Sequence, residues 1–322
     1  MGFFNKVENK TKDITLAKPS DIYVNLLKSI SGSDLKRELK FDIFYRKFVF
    51  RGIKDGVGTS ILCANTALAL AQLNLSVLVI DTSIVSPSQD ELLKTIKKTD
   101  KDWFDLPFTT ESVLRQSKYN NNISVLAFRN REILDMLGRN DNEYIVNMAL
   151  DKFEKTFDII LVDCCAEPTA INATILQRAH KVFQVWNDNP ITLSNLDSSI
   201  TNNTLLSCPL DKTRNIIINK VAKELQGVNE IDALIAEYHV HKLATIPFSE
   251  EIYHAVALGV PLWNYESKHP DIVKFTESII RIVFNILNIK TQDDIDNSIK
   301  VKTQGNVETT ETTSEEFVEM EE

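Results

Sequence analysis

Two glycines flanking a single valine, followed at once by two hydroxyl side chains, have the types and spacing to do chemistry on a phosphate. They lie in Phe50-Arg51-Gly52-Ile53-Lys54-Asp55-Gly56-Val57-Gly58-Thr59-Ser60, between an apolar β-type run and a stretch rich in Ala and Leu. In that setting Gly56 and Gly58 let backbone N–H groups turn inward around an anion. A helix beginning near Thr59, with Ile61 in its first turn, aims its positive end at the same point. Ser60 stands where a hydroxyl completes a Mg²⁺ shell, and Thr59 stands where the phosphate-gripping lysine belongs. A threonine offers the phosphates a hydroxyl and no charge. Asp55 beside them adds a repulsive one.

The elements that must hold this loop are legible on both sides of it. Phe48-Val49-Phe50, Ser76 to Ile80, Ile123 to Phe128, Asp158 to Val162, Lys181 to Trp186 and Asn215 to Ile218 are short β-rich runs separated by helical stretches. Continuous Val/Ile/Leu runs mean strands buried on both faces, and alternation with helices means right-handed βαβ crossovers. The fold class is an α/β, doubly wound, mostly parallel sheet. Ser60 to Leu73 reads as the long helix after the loop. Asp271 to Leu287 carries its apolar residues on one face and should pack back on the sheet. A membrane-surface role for this last helix is disfavoured, because its polar face is not rich in Lys and Arg and an acidic tail follows.

The loop resembles the ParA/MinD group of deviant Walker A ATPases, whose motif reads Lys-Gly-Gly-Val-Gly-Lys-Thr-Thr with an Asn and an Ala-rich helix shortly after. The match runs through Lys54-Asp55-Gly56-Val57-Gly58-Thr59-Ser60, then Asn65 and Ala67-Leu68-Ala69-Leu70-Ala71, without a gap. The second family Gly is Asp55 here and the second Lys is Thr59. The resemblance implies ATP or ADP with Mg²⁺ as ligands. It implies that Lys54 reaches across a nucleotide-sandwich homodimer, that Asp81 helps position the attacking water and Mg²⁺, and that Asp163 is the outer-shell carboxylate of the metal. The family's Asp-x-Asp is Asp81-Thr82-Ser83, so its second Asp is lost. Further on, Ile216-Ile217-Ile218-Asn219-Lys220 matches the strand whose Asn reads the adenine edge. Ile246-Pro247-Phe248 matches the loop that walls the base, and Ala255 through Gly259-Val260-Pro261 matches the helix exit after it. Lys54 and Asp81 are the expected catalytic pair. Residues 55 to 61, Asn219 and Pro247 are the expected nucleotide contacts, and Ser60 and Asp163 the metal residues.

Charge and cysteine content narrow the setting. The net charge of -9 is concentrated in the tail: Gln304 to Glu322 holds seven acidic residues and no Lys or Arg, leaving 36 basic and 38 acidic residues elsewhere, a net of -2. Non-specific DNA coating is therefore not favoured, although residues 1 to 47 carry ten basic and six acidic residues. Cys63, Cys164, Cys165 and Cys208 have no metal-type spacing, which suits a reducing cytoplasm. His239 and His241 read as surface or packing residues, and Trp186 reads as a packing residue after a core strand, in preference to a nucleotide or partner contact. No apolar run is long enough to span a membrane. The expected organisation is an arm over 1–46, partly helical after Ser20, a nucleotide domain over 47–290 and an acidic disordered tail over 291–322.

Three functions fit. One is a partition or positioning switch for DNA. Another is a localisation factor for pilus or conjugation machinery of the TadZ/CpaE kind. The third is a scaffold that binds no nucleotide. Thr59 and Ser83 argue for slow or absent hydrolysis, and arm and tail are the expected docking elements for a protein partner. The resemblance implies a cytoplasmic protein recruited to the nucleoid or the inner face of the membrane.

Overall fold

The computed structural model describes residues 45–83, 87–96, 113–127, 141–166, 169–189, 212, 214–222, 228–265, 267 and 269–289. The expected N-terminal helix after Ser20, the acidic tail, Phe128 and Cys208 lie outside the described residues.

In chain order the elements are β1 (Lys47–Gly52), α1 (Thr59–Ala71), β2 (Val77–Asp81), α2 (Gln89–Leu92), β3 (Arg115–Gln116), β4 (Ile123–Ala127), α3 (Asp141–Phe153) and β5 (Ile159–Cys164). There follow α4 (Ala170–Arg178), β6 (Lys181–Trp186), β7 (Asn215–Val221), α5 (Val228–Glu237), β8 (His241–Pro247), α6 (Glu250–Ala257), a 3₁₀ turn (Leu262–Asn264) and α7 (Pro270–Ile286). They form one eight-stranded sheet in the order β3-β4-β2-β5-β1-β6-β7-β8. Among the described strands only the β3–β4 pair is antiparallel.

Alternate residues of each central strand face opposite cores, which is why the strands read as unbroken apolar runs. Phe48, Phe50, Val77, Val79, Ile159 and Leu161 pack with α1 and α7. Val49, Leu78, Ile80, Ile160 and Val162 pack with α3 and α4 on the other face. Helix α1 is buried over Leu62 to Ala71, so it is apolar all round, as a helix inside a core must be. Asn65 and Thr66 are the exceptions: Thr66 Oγ1 donates to the Leu62 carbonyl at 2.8 Å, while Asn65 Nδ2 donates to the Ile61 carbonyl at 2.7 Å and its Oδ1 accepts the Trp263 N–H at 2.7 Å, tying α1 to the 3₁₀ turn.

Two strands are absent from the sequence expectation. β8 forms the sheet edge and exposes His241, Lys242 and Thr245, so its composition resembles surface. β3 pairs only Arg115 with Val125 and Gln116 with Ser124. The helices expected over 60–73 and 271–287 run 59–71 and 270–286. Trp186 is buried in the core, and His239 and His241 are exposed.

Candidate functional site

β1 enters the sheet between β5 and β6, and its connection through α1 leads to β2 on the far side of β5. The crevice beyond the strand C-termini at such a reversal is where open α/β sheets bind ligands. The loop Ile53 to Gly58 leaves the C-terminal end of β1, and Asp81 and Asp163 stand at matched register near the ends of β2 and β5.

The loop takes its shape from its glycines. Gly56 has φ +78 and Gly58 φ +97, conformations that side chains with a Cβ rarely adopt. Gly58 is the N-cap of α1, whose first turn contains no acidic residue, leaving the positive helix end uncompensated. Val57 anchors the loop in the core. Thr59 turns its hydroxyl back towards the loop base, where a Cβ on Gly52 would lie 2.7 Å from Thr59 Oγ1. Lys54 is half-buried on the loop, and Asp55 is exposed.

Asn219 and Lys220, at the end of β7, bind the loop itself. Asn219 Nδ2 donates to the Val57 carbonyl at 2.7 Å, and Asn219 Oδ1 accepts the Lys220 N–H at 3.0 Å. Lys220 Nζ donates to the Gly56 carbonyl at 2.6 Å. The Asn219 amide, expected from the family pattern at an adenine edge, is thus engaged by the phosphate loop in this structure. Pro247 pairs with Val221 near the same end of the sheet.

The carboxylates lie deeper. Asp81 is fully buried, and its Oδ1 accepts the Ser83 N–H at 2.9 Å while Oδ2 accepts those of Ser88 and Gln89 at 2.7 and 3.0 Å. Asp81 therefore caps α2 from a distance of eight residues. Asp163 is hydrogen-bonded by the Ser60 side chain and accepts Gln89 Nε2 at 2.7 Å. Burial, then the charge of Asp163, push Asp81 up to about 7 against the pull of its three backbone donors. Burial likewise raises Asp163, opposed by Gln89 and Ser60. Cys63 on α1 is held well above the ordinary thiol range by burial and by the two aspartates. Burial also pushes Cys164 up to about 12, so both buried thiols stay protonated and inert. Cys165 is half-buried, and its Sγ accepts from Asn172 Nδ2 at 3.1 Å.

Two buried carboxylates side by side, a serine hydroxyl on one of them and the N-terminus of α1 nearby form an oxygen-rich cluster. Gln89 Oε1 is buried there without a hydrogen-bond partner. Hard oxygen donors and an orphaned acceptor fit a hydrated magnesium ion. The loop amides fit phosphate, with no lysine at Thr59 to balance its charge. Ser60, Asp81 and Asp163 meet here, whereas Asn219 and Pro247 sit to the side of the loop. Gln89 is the site residue that sequence reasoning misses; its one signal is the cluster Ser88-Gln89-Asp90-Glu91 shortly after a strand ending in Asp.

Among the described residues no group of His, Cys, Asp and Glu forms a separate metal cluster, and no helix is long and apolar enough to cross a membrane. A family model described as an AAA domain matches residues 46–204, just under half of the chain. No curated protein matches the chain by sequence. The fold is similar to the MinD cell division protein of Aquifex aeolicus, at TM-score 0.58 and 19% identity over 76% of this chain and 98% of that one. A ParA family ATPase from Chlorobium tepidum aligns at TM-score 0.60 and 16% identity over 74% and 99% of the two chains. The septum site-determining protein MinD of Pyrococcus horikoshii, solved with Mg-ADP, aligns at 0.58 and 15% over 75% and 96%.

Proposed function

We propose that this chain, whose fold is similar to that of MinD and ParA ATPases, is a nucleotide-held spatial organiser of the ParA/MinD kind that binds ATP or ADP with Mg²⁺ and turns ATP over slowly or not at all. The observation that carries this reading is the buried Asp81–Asp163 pair against Ser60. Burying two neighbouring carboxylates without a cation opposes folding, and a loop that had lost its ligand would gain stability by losing them. The neighbour solved with Mg-ADP supports the choice of ligand.

Each residue has a part in this reading. Amides of the loop and of the first turn of α1 cradle the phosphates, and Ser60 with Asp163 holds the metal. The metal supplies the phosphates with the positive charge that Thr59 does not. Asp81, spent on capping α2, is poorly placed to hold an attacking water, and with Ser83 in place of the second family Asp this supports slow turnover. Lys54 supplies the cross-subunit charge of a homodimer. The N-terminal arm and acidic tail recruit a protein partner that determines whether the cargo is DNA or an envelope machine.

Thr59, Ser83 and Asp55 favour one second reading, a scaffold or pilus and conjugation localisation factor that binds no nucleotide. Light scattering with and without Mg-ATP separates the two. ATP-dependent dimers that disappear in Lys54→Ala support the switch; a mass indifferent to nucleotide supports the scaffold.

A further inference from the structure

Gln89 opens α2 and is fully buried. Its Nε2 lies 3.0 Å from the Ser60 carbonyl and 2.7 Å from Asp163 Oδ2. Both neighbours are acceptors, so the nitrogen faces them, and turning the carboxamide round would set oxygen against oxygen. That leaves Oε1 on the other arm of the same planar group, buried and without a hydrogen-bond partner. An orphaned buried acceptor opposes folding, and the nearby backbone donors of Ser88 and Gln89 are already committed to Asp81. Among the described residues no donor reaches Oε1.

We propose that Gln89 is a positioning residue of the magnesium site, its Nε2 fixing the Asp163 carboxylate and its Oε1 accepting a hydrogen from a water of the hydrated ion that enters with the nucleotide. Magnesium gives up its waters reluctantly, so the protein reads it through water, and acceptors one shell out orient that water. Asp163 and Gln89 then present two acceptors side by side. Their geometry is set by the Ser60 carbonyl, so the metal site is coupled to the first turn of α1, where the phosphates bind. Asp81 is outside this pair because its oxygens hold α2 in place, and so hold Gln89. This inference rests on the nucleotide-binding reading above.

The test is the affinity for ADP, by calorimetry, with Mg²⁺ and with a chelator, in the full chain and in Gln89→Met and Gln89→Glu. Methionine keeps the length of the side chain and removes both polar atoms. The expected result is unchanged binding in chelator and a magnesium enhancement reduced at least about tenfold, in the range seen for groups one shell from a metal. Glutamate keeps Oε1 but sets a second oxygen against the Ser60 carbonyl and Asp163 Oδ2 in place of the donor, so the enhancement should fall in this variant too. Equal losses with and without metal in Gln89→Met would mean a purely structural role and overturn the proposal, as would an unchanged enhancement. Should Gln89→Met fail to fold, an enhancement in Gln89→Glu equal to that of the wild type overturns it. A wild type that binds no ADP in either buffer brings down this inference together with the nucleotide reading; a wild type that binds with an enhancement indifferent to Gln89 brings down this inference alone.

Discussion

Replacing Thr59 by lysine puts a cation at the first residue of α1, where the chain offers only a hydroxyl, and two consequences follow from one cause. Thr59 is the first residue of α1, behind a Gly58 cap with φ 97, and its hydroxyl points back to Gly52. A lysine shares that Cβ and has the stem length to carry its ammonium to the pocket mouth, one residue from the Ser60 side chain that meets Asp163. A charge-assisted contact is worth about 1.5–3 kcal/mol, or roughly one to two decades in affinity. Thr59→Lys should therefore bind Mg-ADP about ten- to a hundredfold more tightly in calorimetry at fixed salt. The second consequence concerns pH. Asp81 rises from 3.8 to about 7 in the folded protein, so between those values the native state holds more protons than the unfolded chain. The contribution of this group to stability then declines as pH rises through that window. An ammonium beside the pair favours the ionised forms, so urea midpoints measured from pH 5 to 8 should fall less steeply in Thr59→Lys than in the wild type. Affinity within about twofold of wild type, together with an unchanged pH slope, would refute the view that the missing cation governs this pocket.

Other predictions concern the loop and its frame. Gly58→Ala places a methyl group on Asn219 Nδ2 at a positive φ. Backbone strain and the displaced Asn219–Val57 hydrogen bond should together cost about 2–3 kcal/mol of unfolding free energy in denaturant titrations, and a loss near zero would show that the loop yields freely. His180 Nδ1 accepts the N–H groups of Arg46 and Lys47 at 3.1 and 3.0 Å. Burial first, then the charge of Lys47, hold its pKa below the usual 6.5, so the unfolded chain takes up the proton first. The stability from neutral His180 is complete above the usual histidine range and is lost as pH falls through it. His180→Gln, which keeps an acceptor that does not titrate, should lose less stability than wild type between pH 7.5 and 5.5 on denaturation; parallel losses would contradict this.

The phosphate loop, the central strands and Asp163 are legible in sequence because local patterns fix them. Glycines at a strand-to-helix turn admit few conformations, and strands buried on both faces must be continuously apolar. β8 is illegible because it lies at the sheet edge and carries His241, Lys242 and Thr245 exposed, which breaks the apolar run. Gln89 is illegible for another reason. Its neighbours Ser88, Asp90 and Glu91 give the segment the composition of a surface turn, and it reaches Ser60 and Asp163 only because Asp81 captures the backbone amides beside it. Asn219 shows the same limit: its residue type matches a base-reading position, and the hydrogen bond of its amide to Val57 spans 162 residues of chain. Contacts of that span leave no periodicity to read.

The most direct measurement is an isothermal titration of the full chain with ADP at millimolar concentration, in Mg²⁺ and in chelator. A nucleotide-held switch built on Ser60, Asp81 and Asp163 predicts saturable heat that is stronger with the metal. Absence of heat in both buffers would contradict it and leave the pocket as the relic of a scaffold.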